Sequence, residues 1–318
     1  AINYRTVASG LLSYVPGVMP LYRRLAFRPN PAPAEASYGI WLKHLVLSHN
    51  ARDGRPPRIV AELGPGLSLG VGLAALICGA ERYVALDIVR FAPMASVLPI
   101  FERLLGLFTA RAKPENAHGF PPYDTLLDAS GFPSEILPDA RVAALLAPAR
   151  IEALRRDVQG FVASGGKPSR RLHYAAPWRL ADTPHRGEVD FLLSHTVLQH
   201  VGDIHAEWQN IGGMLRSGGV CSHQINFDSH GTATAWNGHW TYPDALWRIA
   251  LGRKSFLINR EPLSRQLAAA RAAGLTPALV LQRHDAGGVS RAALSRPWQG
   301  LIHDDLHTRG AFVVARKD

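Results

Sequence analysis

The segment from Ile59 to Ile88 constrains the fold more than any other. A short apolar strand, Ile59-Val60-Ala61, runs into Glu62 and then into a glycine turn, Gly64-Pro65-Gly66. An apolar stretch from about Ser68 to Cys78 has helical length, and a second strand from Tyr83 to Leu86 ends at Asp87. Strand, glycine turn, helix and strand in this order predict the first β-α-β unit of a doubly wound α/β sheet. Ligands bind such sheets in the crevice beyond the carboxyl ends of the strands, where glycines let them approach the backbone. Asp87 closes the second strand, where an acid suits the two hydroxyls of an adenosine ribose.

A nicotinamide dinucleotide site carries G-x-G-x-x-G, with the pyrophosphate resting on the helix N-terminus. Here the spacing is Gly64-x-Gly66-x-x-x-Gly70, and Glu62 stands before the turn, where its charge opposes a pyrophosphate. S-adenosylmethionine (SAM) has no phosphate and carries a sulfonium and an ammonium group, so an acid at the turn suits it. A dinucleotide-binding or purely structural unit is the alternative.

Further along, Tyr174-Ala175-Ala176-Pro177-Trp178 reads as a strand end and loop, and Val189 to Ser194 as a buried parallel strand. His195-Thr196-Val197-Leu198-Gln199-His200-Val201 follows directly. A helix from about Ile204 to Leu215 stops at Arg216-Ser217-Gly218-Gly219, and a strand from Val220 to Asn226 comes next. With E-L-G-P-G and A-L-D upstream, this order resembles the motifs of the class I SAM-dependent methyltransferases, over roughly residues 59 to 110 and 172 to 318. Ser37 to Val46 also resembles the lead-in segment of bacterial small-molecule methyltransferases often associated with surface-glycan pathways. The resemblance implies a Rossmann-like, seven-stranded, mostly parallel doubly wound sheet with SAM as cofactor. It implies cofactor contacts from Glu62, Gly64, Pro65, Gly66, Asp87, Ile88, Ala176, Pro177, Trp178, Ser194 and His195. One departure is Trp178-Arg179, where many relatives carry an acid after the loop proline. Backbone carbonyls or Asp182 are then left to read the adenine amino group. Trp178 itself either stacks on the ring or packs in the core.

Methyl transfer is an in-line displacement, so holding the reacting atoms collinear supplies much of the rate. A hydroxyl acceptor also needs a base, and histidine has the right range. His195, at the end of the fourth strand, is the expected base, with His200 in reserve; a framework role is the alternative for each. His223 on the fifth strand, Trp236 and Trp240 in the loop after it, and Arg260 in Leu257-Ile258-Asn259-Arg260 are the expected substrate contacts. Core packing for the aromatics and helix capping for Arg260 are the duller alternatives. The expected acceptor is a hydroxyl of a sugar or other small metabolite, anionic or glycan-linked. A methyltransferase acting on RNA or protein, or a non-catalytic SAM- or nucleotide-binding protein of the same fold, competes with it.

At 318 residues and 47% hydrophobic composition the chain can bury a full core and carry additions. The expected division is an N-terminal helical cover over 1–57 and a SAM-binding domain over 58–318, with an inserted lid at 113–171. The net charge of +10, with Arg23, Arg24, Arg28, Arg170 and Arg171 clustered in two places, suits an anionic partner or a plain solvated surface. No dedicated nucleic-acid motif stands out. No apolar run approaches the roughly 18 residues of a membrane span. Gly10 to Pro20 lacks the features of a signal peptide, and two cysteines, Cys78 and Cys221, read as reduced core residues, so a cytoplasmic location is expected. No metal is expected, although His303-Asp304-Asp305-Leu306-His307 offers divalent-ion ligands as an alternative to an ordinary turn. The oligomeric state has no signature in the sequence.

Overall fold

The structure, a computed structural model, describes residues 2–17, 33–115, 119–127, 131–179, 185–254 and 257–318. Arg23, Arg24, Arg28 and Asp182 lie outside the described residues. Strands β1 (Ile59–Leu63), β2 (Arg82–Leu86), β3 (Leu172–Ala175), β4 (Val189–His195), β5 (Leu215–Asn226), β6 (Leu275–His284) and β7 (Thr308–Lys317) build one sheet. Their order is β3-β2-β1-β4-β5-β7-β6, parallel from β3 to β5, with β7 antiparallel to both β5 and β6. The expected seven-stranded, mostly parallel sheet is observed.

Ten helices flank it in the described residues: α1 (Tyr4–Leu12), α2 (Ala34–Leu47), α3 (Gly70–Ile77), α4 (Met94–Thr109), α5 (Asp139–Leu145), α6 (Pro148–Ala163), α7 (Ile204–Met214), α8 (Asp244–Leu251), α9 (Leu263–Ala272) and α10 (His303–His307). Parallel strands must bury both faces, and the two faces carry separate cores. Val60, Tyr83, Ala85, Phe191 and Leu193 point to the side of α2, α3, α4 and α6. Ala61, Val84, Leu86, Leu192 and Cys221 point to the side of α7 and α9, around the fully buried Trp208.

Helix α4 runs through Pro99, which lies on its exposed side. Its missing N–H leaves only the exposed Ala95 carbonyl, which water can satisfy. Within the expected N-terminal cover and inserted lid, helices α2 and α6 pack into the core. Trp41 and Leu42 of α2 are fully buried, and α6 buries Ile151, Leu154, Val158 and Phe161. Within 113–171, Gly119 and Phe120 are the described residues that reach a cavity beside the sheet ends. Arg171 is paired with Asp157 at 2.6 Å, which removes part of one basic cluster. No helix among the described residues is long and apolar enough to cross a membrane.

Close packing against α3 depends on small residues. A Cβ at Gly72 would meet the Tyr83 ring at 2.1 Å, and one at Gly70 would meet Ser37 Oγ at 2.2 Å. Gly72→Ala should therefore lower stability by about 1–3 kcal/mol despite alanine's better helix propensity, read from the urea midpoint. An unchanged or raised midpoint would mean that Tyr83 moves aside freely.

Candidate functional site

The order of the sheet reverses beside β1: the chain steps from β1 to β2 and β3 on one side and from β4 to β5 on the other. The loops leaving β1 and β4 therefore diverge and open a crevice at their carboxyl ends. It has a volume of about 420 Å³. Leu63, Gly64 and Gly66 come from the end of β1, Leu86, Asp87 and Ile88 from that of β2, and Thr196, Val197, His200 and Val201 from the loop after β4. Phe91, Trp178, Gly202 and Glu207 complete the lining.

The glycine turn works through its backbone. Gly64 and Gly66 have φ of 62° and 63°, in the left-handed region that favours glycine. Gly64 N–H donates to the Leu86 carbonyl at 2.8 Å, and Gly66 N–H donates to Asp87 Oδ2 at 3.1 Å. Asp87 Oδ1 accepts from Ile88 N–H at 2.8 Å. The strand ends are thus tied to each other through one carboxylate. Burial raises the Asp87 pKa above its ordinary value against the lowering effect of these N–H groups. Glu207, on the first turn of α7, is also raised by burial. It was not foreseen, because an acid near a helix N-terminus reads as an ordinary helix-dipole residue. Two carboxylates line the crevice, and no lysine or arginine does among the described residues.

Glu62 does not line the crevice. Its side chain faces the core, where Tyr83 Oη donates to Glu62 Oε2 at 2.5 Å. Burial pushes its pKa up to about 8, so at neutral pH the group is largely uncharged. The expected charge before the turn is corrected accordingly. Pro65, Ala176 and Pro177 also stay out of the lining, whereas Trp178 joins it and donates its N–H to the Asp87 carbonyl at 2.8 Å.

A second cavity, of about 400 Å³, opens on the other side of Thr196. Ile40, Gly119 and Phe120 wall it with His195, Gln224, Asn226, Asp228, Arg283, Arg309 and Gly310. His195 and Gln224 are register partners across β4 and β5. His195 therefore belongs to this cavity and not to the crevice, whereas His200 lines the crevice. Thr196, shared by both, has φ of 57°, an outlier for a β-branched residue that costs about 1–3 kcal/mol. Its N–H donates to the Gln224 carbonyl at 2.9 Å and its hydroxyl to the His195 carbonyl at 2.7 Å. In the wall, Arg309 pairs with Asp228 at 2.6 Å and with Asp285 at 2.8 Å.

Other expected contacts are elsewhere. Ser194 and His223 are fully buried on the Trp208 side of the sheet, 2.8 Å apart, and burial lowers the His223 pKa to about 3. The assignments of Ser194 to cofactor and His223 to substrate are corrected: neither is accessible. Trp236 and Trp240 pack with Trp298, Leu294, Leu301 and Leu306 in a small core of their own. Arg260 lies between Trp247 and Trp298 at 4.6 and 5.0 Å, donates to Asp244 Oδ1 at 2.9 Å, and lines a separate hollow. Its neighbour Asn259 holds the crevice loop, donating from Nδ2 to the Leu198 and Val201 carbonyls at 2.7 and 2.9 Å. In α10, Asp305 accepts from the Ser264 hydroxyl at 2.5 Å while Asp304 pairs with His284 at 3.0 Å, so the two acids serve different partners.

No family model matches the chain, and no curated protein is similar to it. Among solved structures it is similar to an S-adenosylmethionine-dependent methyltransferase from Mesorhizobium loti, at 15% identity over 87% of this chain and 100% of that one, with a TM-score of 0.39. It is similar to geranyl diphosphate C-methyltransferase from Streptomyces coelicolor, at 12% identity over 89% and 78% of the two chains, with a TM-score of 0.42. A third similarity is to 1,6-didemethyltoxoflavin-N1-methyltransferase from Burkholderia thailandensis, at 15% identity over 100% and 91%, with a TM-score of 0.41.

The raised Glu62 pKa has a definite sign. Between the unfolded value of 4.5 and about 8 the folded state binds more protons, so this residue makes stability fall as pH rises through that window. Glu62→Gln keeps an acceptor for Tyr83 and removes the titration. Its stability relative to the native chain should rise from pH 5 to 8 by an amount on the order of a few kcal/mol, in urea titrations at each pH. A constant difference would place Glu62 in a charged state throughout. Asn259→Ala should cost roughly 1–3 kcal/mol by leaving two carbonyls short of a donor, measured the same way.

Proposed function

We propose that the chain is a SAM-dependent methyltransferase acting on a small, polar, hydroxyl-bearing acceptor. One observation carries the cofactor: the crevice at the switch point is lined largely by apolar side chains and by two desolvated carboxylates, Asp87 and Glu207, with no lysine or arginine beside them among the described residues. A pyrophosphate there would face negative charge without a partner. A cationic nucleoside relieves both carboxylates. When bound, SAM supplies an electrophilic methyl group whose carbon–sulfur bond breaks with its electron pair returning to sulfur.

The residues divide the work by position. Asp87, already oriented by the Gly66 and Ile88 N–H groups, takes the ribose hydroxyls. Leu63, Ile88, Phe91 and Trp178 offer an apolar slot to the base, and Gly64 and Gly66 leave room for the backbone to approach. Glu207 faces the positive end of the cofactor. Thr196 separates this crevice from the second cavity, which takes the acceptor, and His195 is the ring that meets it. Arg283 and Arg309 both pair with Asp228 there, and Arg309 also with Asp285, so the charges balance, which favours a neutral polar acceptor, such as a sugar, over a strongly anionic one. Two buried free thiols, Cys78 and Cys221, suit a reducing compartment such as the cytoplasm.

Calorimetric titration should give binding of SAM and S-adenosylhomocysteine and none of NAD. Asp87→Ala should weaken SAM by about 10- to 100-fold, the worth of hydrogen bonds to a charged acceptor. Binding of NAD, or full SAM affinity in Asp87→Ala, would sink the assignment.

A further inference from the structure

Behind His195, three polar side chains run from the acceptor cavity into the core. The Ser222 hydroxyl stands 2.7 Å from His44 Nδ1, and His44 Nε2 stands 3.4 Å from His195 Nδ1. Ser222 and His44 are fully buried, while His195 is half-buried and lines the cavity. Ser222 comes from β5 and His44 from α2, so the series exists only when α2 is docked on the sheet.

The protons along this series are ordered by its closed end. A hydroxyl excluded from water must place its one proton on an acceptor. Among the described residues, His44 Nδ1 is the one partner of the Ser222 hydroxyl. Ser222 therefore donates to Nδ1. A neutral imidazole has a single N–H, so His44 carries it on Nε2 and donates to His195 Nδ1. His195 Nδ1 is then an acceptor, and the His195 proton sits on Nε2. Burial, with the cationic forms of His195, His223 and Lys43 opposing, holds His44 well below the usual histidine range, which keeps it neutral. The reverse order would bury the Ser222 proton with no acceptor, the more costly arrangement.

We propose that Ser222 and His44 are positioning residues that lock His195 as its Nε2–H tautomer, so that His195 meets the acceptor molecule as a hydrogen-bond donor and not as the base that takes its proton. The donor role rests on the methyltransferase reading of the cavity; the tautomer does not. Such an N–H selects acceptors that present an oxygen or nitrogen lone pair next to the methylated atom. Gln224, its register partner, is 4% exposed and has a carbonyl oxygen without a hydrogen-bond partner. Together they match a group that both accepts and donates, such as a hydroxyl. The base expected from the sequence at His195 is thereby replaced.

The test is two-bond nitrogen–proton correlation NMR on the full chain with isotope-labelled histidine, at neutral pH without added ligand. The spectrum of His195→Gln identifies the His195 signals by their loss. The expected result is an unprotonated His195 Nδ1, with the Nε2–H form in roughly tenfold or greater excess. Ser222→Ala should bring the two tautomers toward equal populations, and Ser222→Thr, which keeps the hydroxyl, should restore the excess. A protonated Nδ1 in the native chain overturns the proposal, and that spectrum decides even where a variant fails to fold. A His195 tautomer indifferent to Ser222→Ala overturns the role of Ser222 and His44. SAM titration of the same sample reports separately on the cofactor, so a chain with the expected tautomer and no SAM binding would sink the methyltransferase reading alone.

Discussion

The reversal of strand order beside β1 is the constraint on which the site depends. Parallel strands leave their carboxyl ends on one edge, and neighbouring loops there normally pack against each other. Where the order reverses, they diverge and cannot close the gap. The chain holds that gap open with short-range ties: Asp87 joins the glycine turn to β2, Asn259 holds the loop after β4, and Thr196 is pinned to β5 in a left-handed conformation. Backbone strain of this kind persists only where surrounding bonds over-determine it. Here it falls on the residue that separates two cavities.

The two cavities differ in electrostatic character for a structural reason. In the crevice, the apolar lining raises the pKa of Asp87 and Glu207, with no lysine or arginine among the described residues to offset them. In the neighbouring cavity the antiparallel β6 and β7 bring Arg283 and Arg309 against Asp228 and Asp285, two cations against two carboxylates, and the charges cancel. Among the described residues, no lysine or arginine lines the crevice. Arg260 is buried and occupied between two tryptophans and an aspartate.

Helix α2 changes role between sequence and structure. Its sequence suggests a cover over the site, but Tyr38, Trp41 and Leu42 are buried against α3, α4 and β4, making it part of the sheet's main layer. Docked there, it places Ile40 in the wall of the second cavity and His44 against His195. A cover would move; a layer of this kind ties the wall of that cavity to the stability of the core.

What the sequence by itself determined is the succession of elements and the placement of the switch point. Apolar runs of strand and helix length, punctuated by glycines, are local signals, and they located Gly64, Gly66 and Asp87 because backbone conformation and strand ends are local properties. Direction and burial of side chains are not local. Glu62 lies one residue from the glycine turn region, yet strand alternation turns it toward Tyr83 and the core. Ser194 and His195 are adjacent, and the same alternation sends one into the core behind the sheet and the other into a cavity. Glu207 carried no motif, and His44 had no role assigned within the lead-in segment, since their meaning comes from partners brought to them by helix docking. Only the tertiary structure decided these, because desolvation and hydrogen-bond partners depend on what packs against a residue from distant parts of the chain.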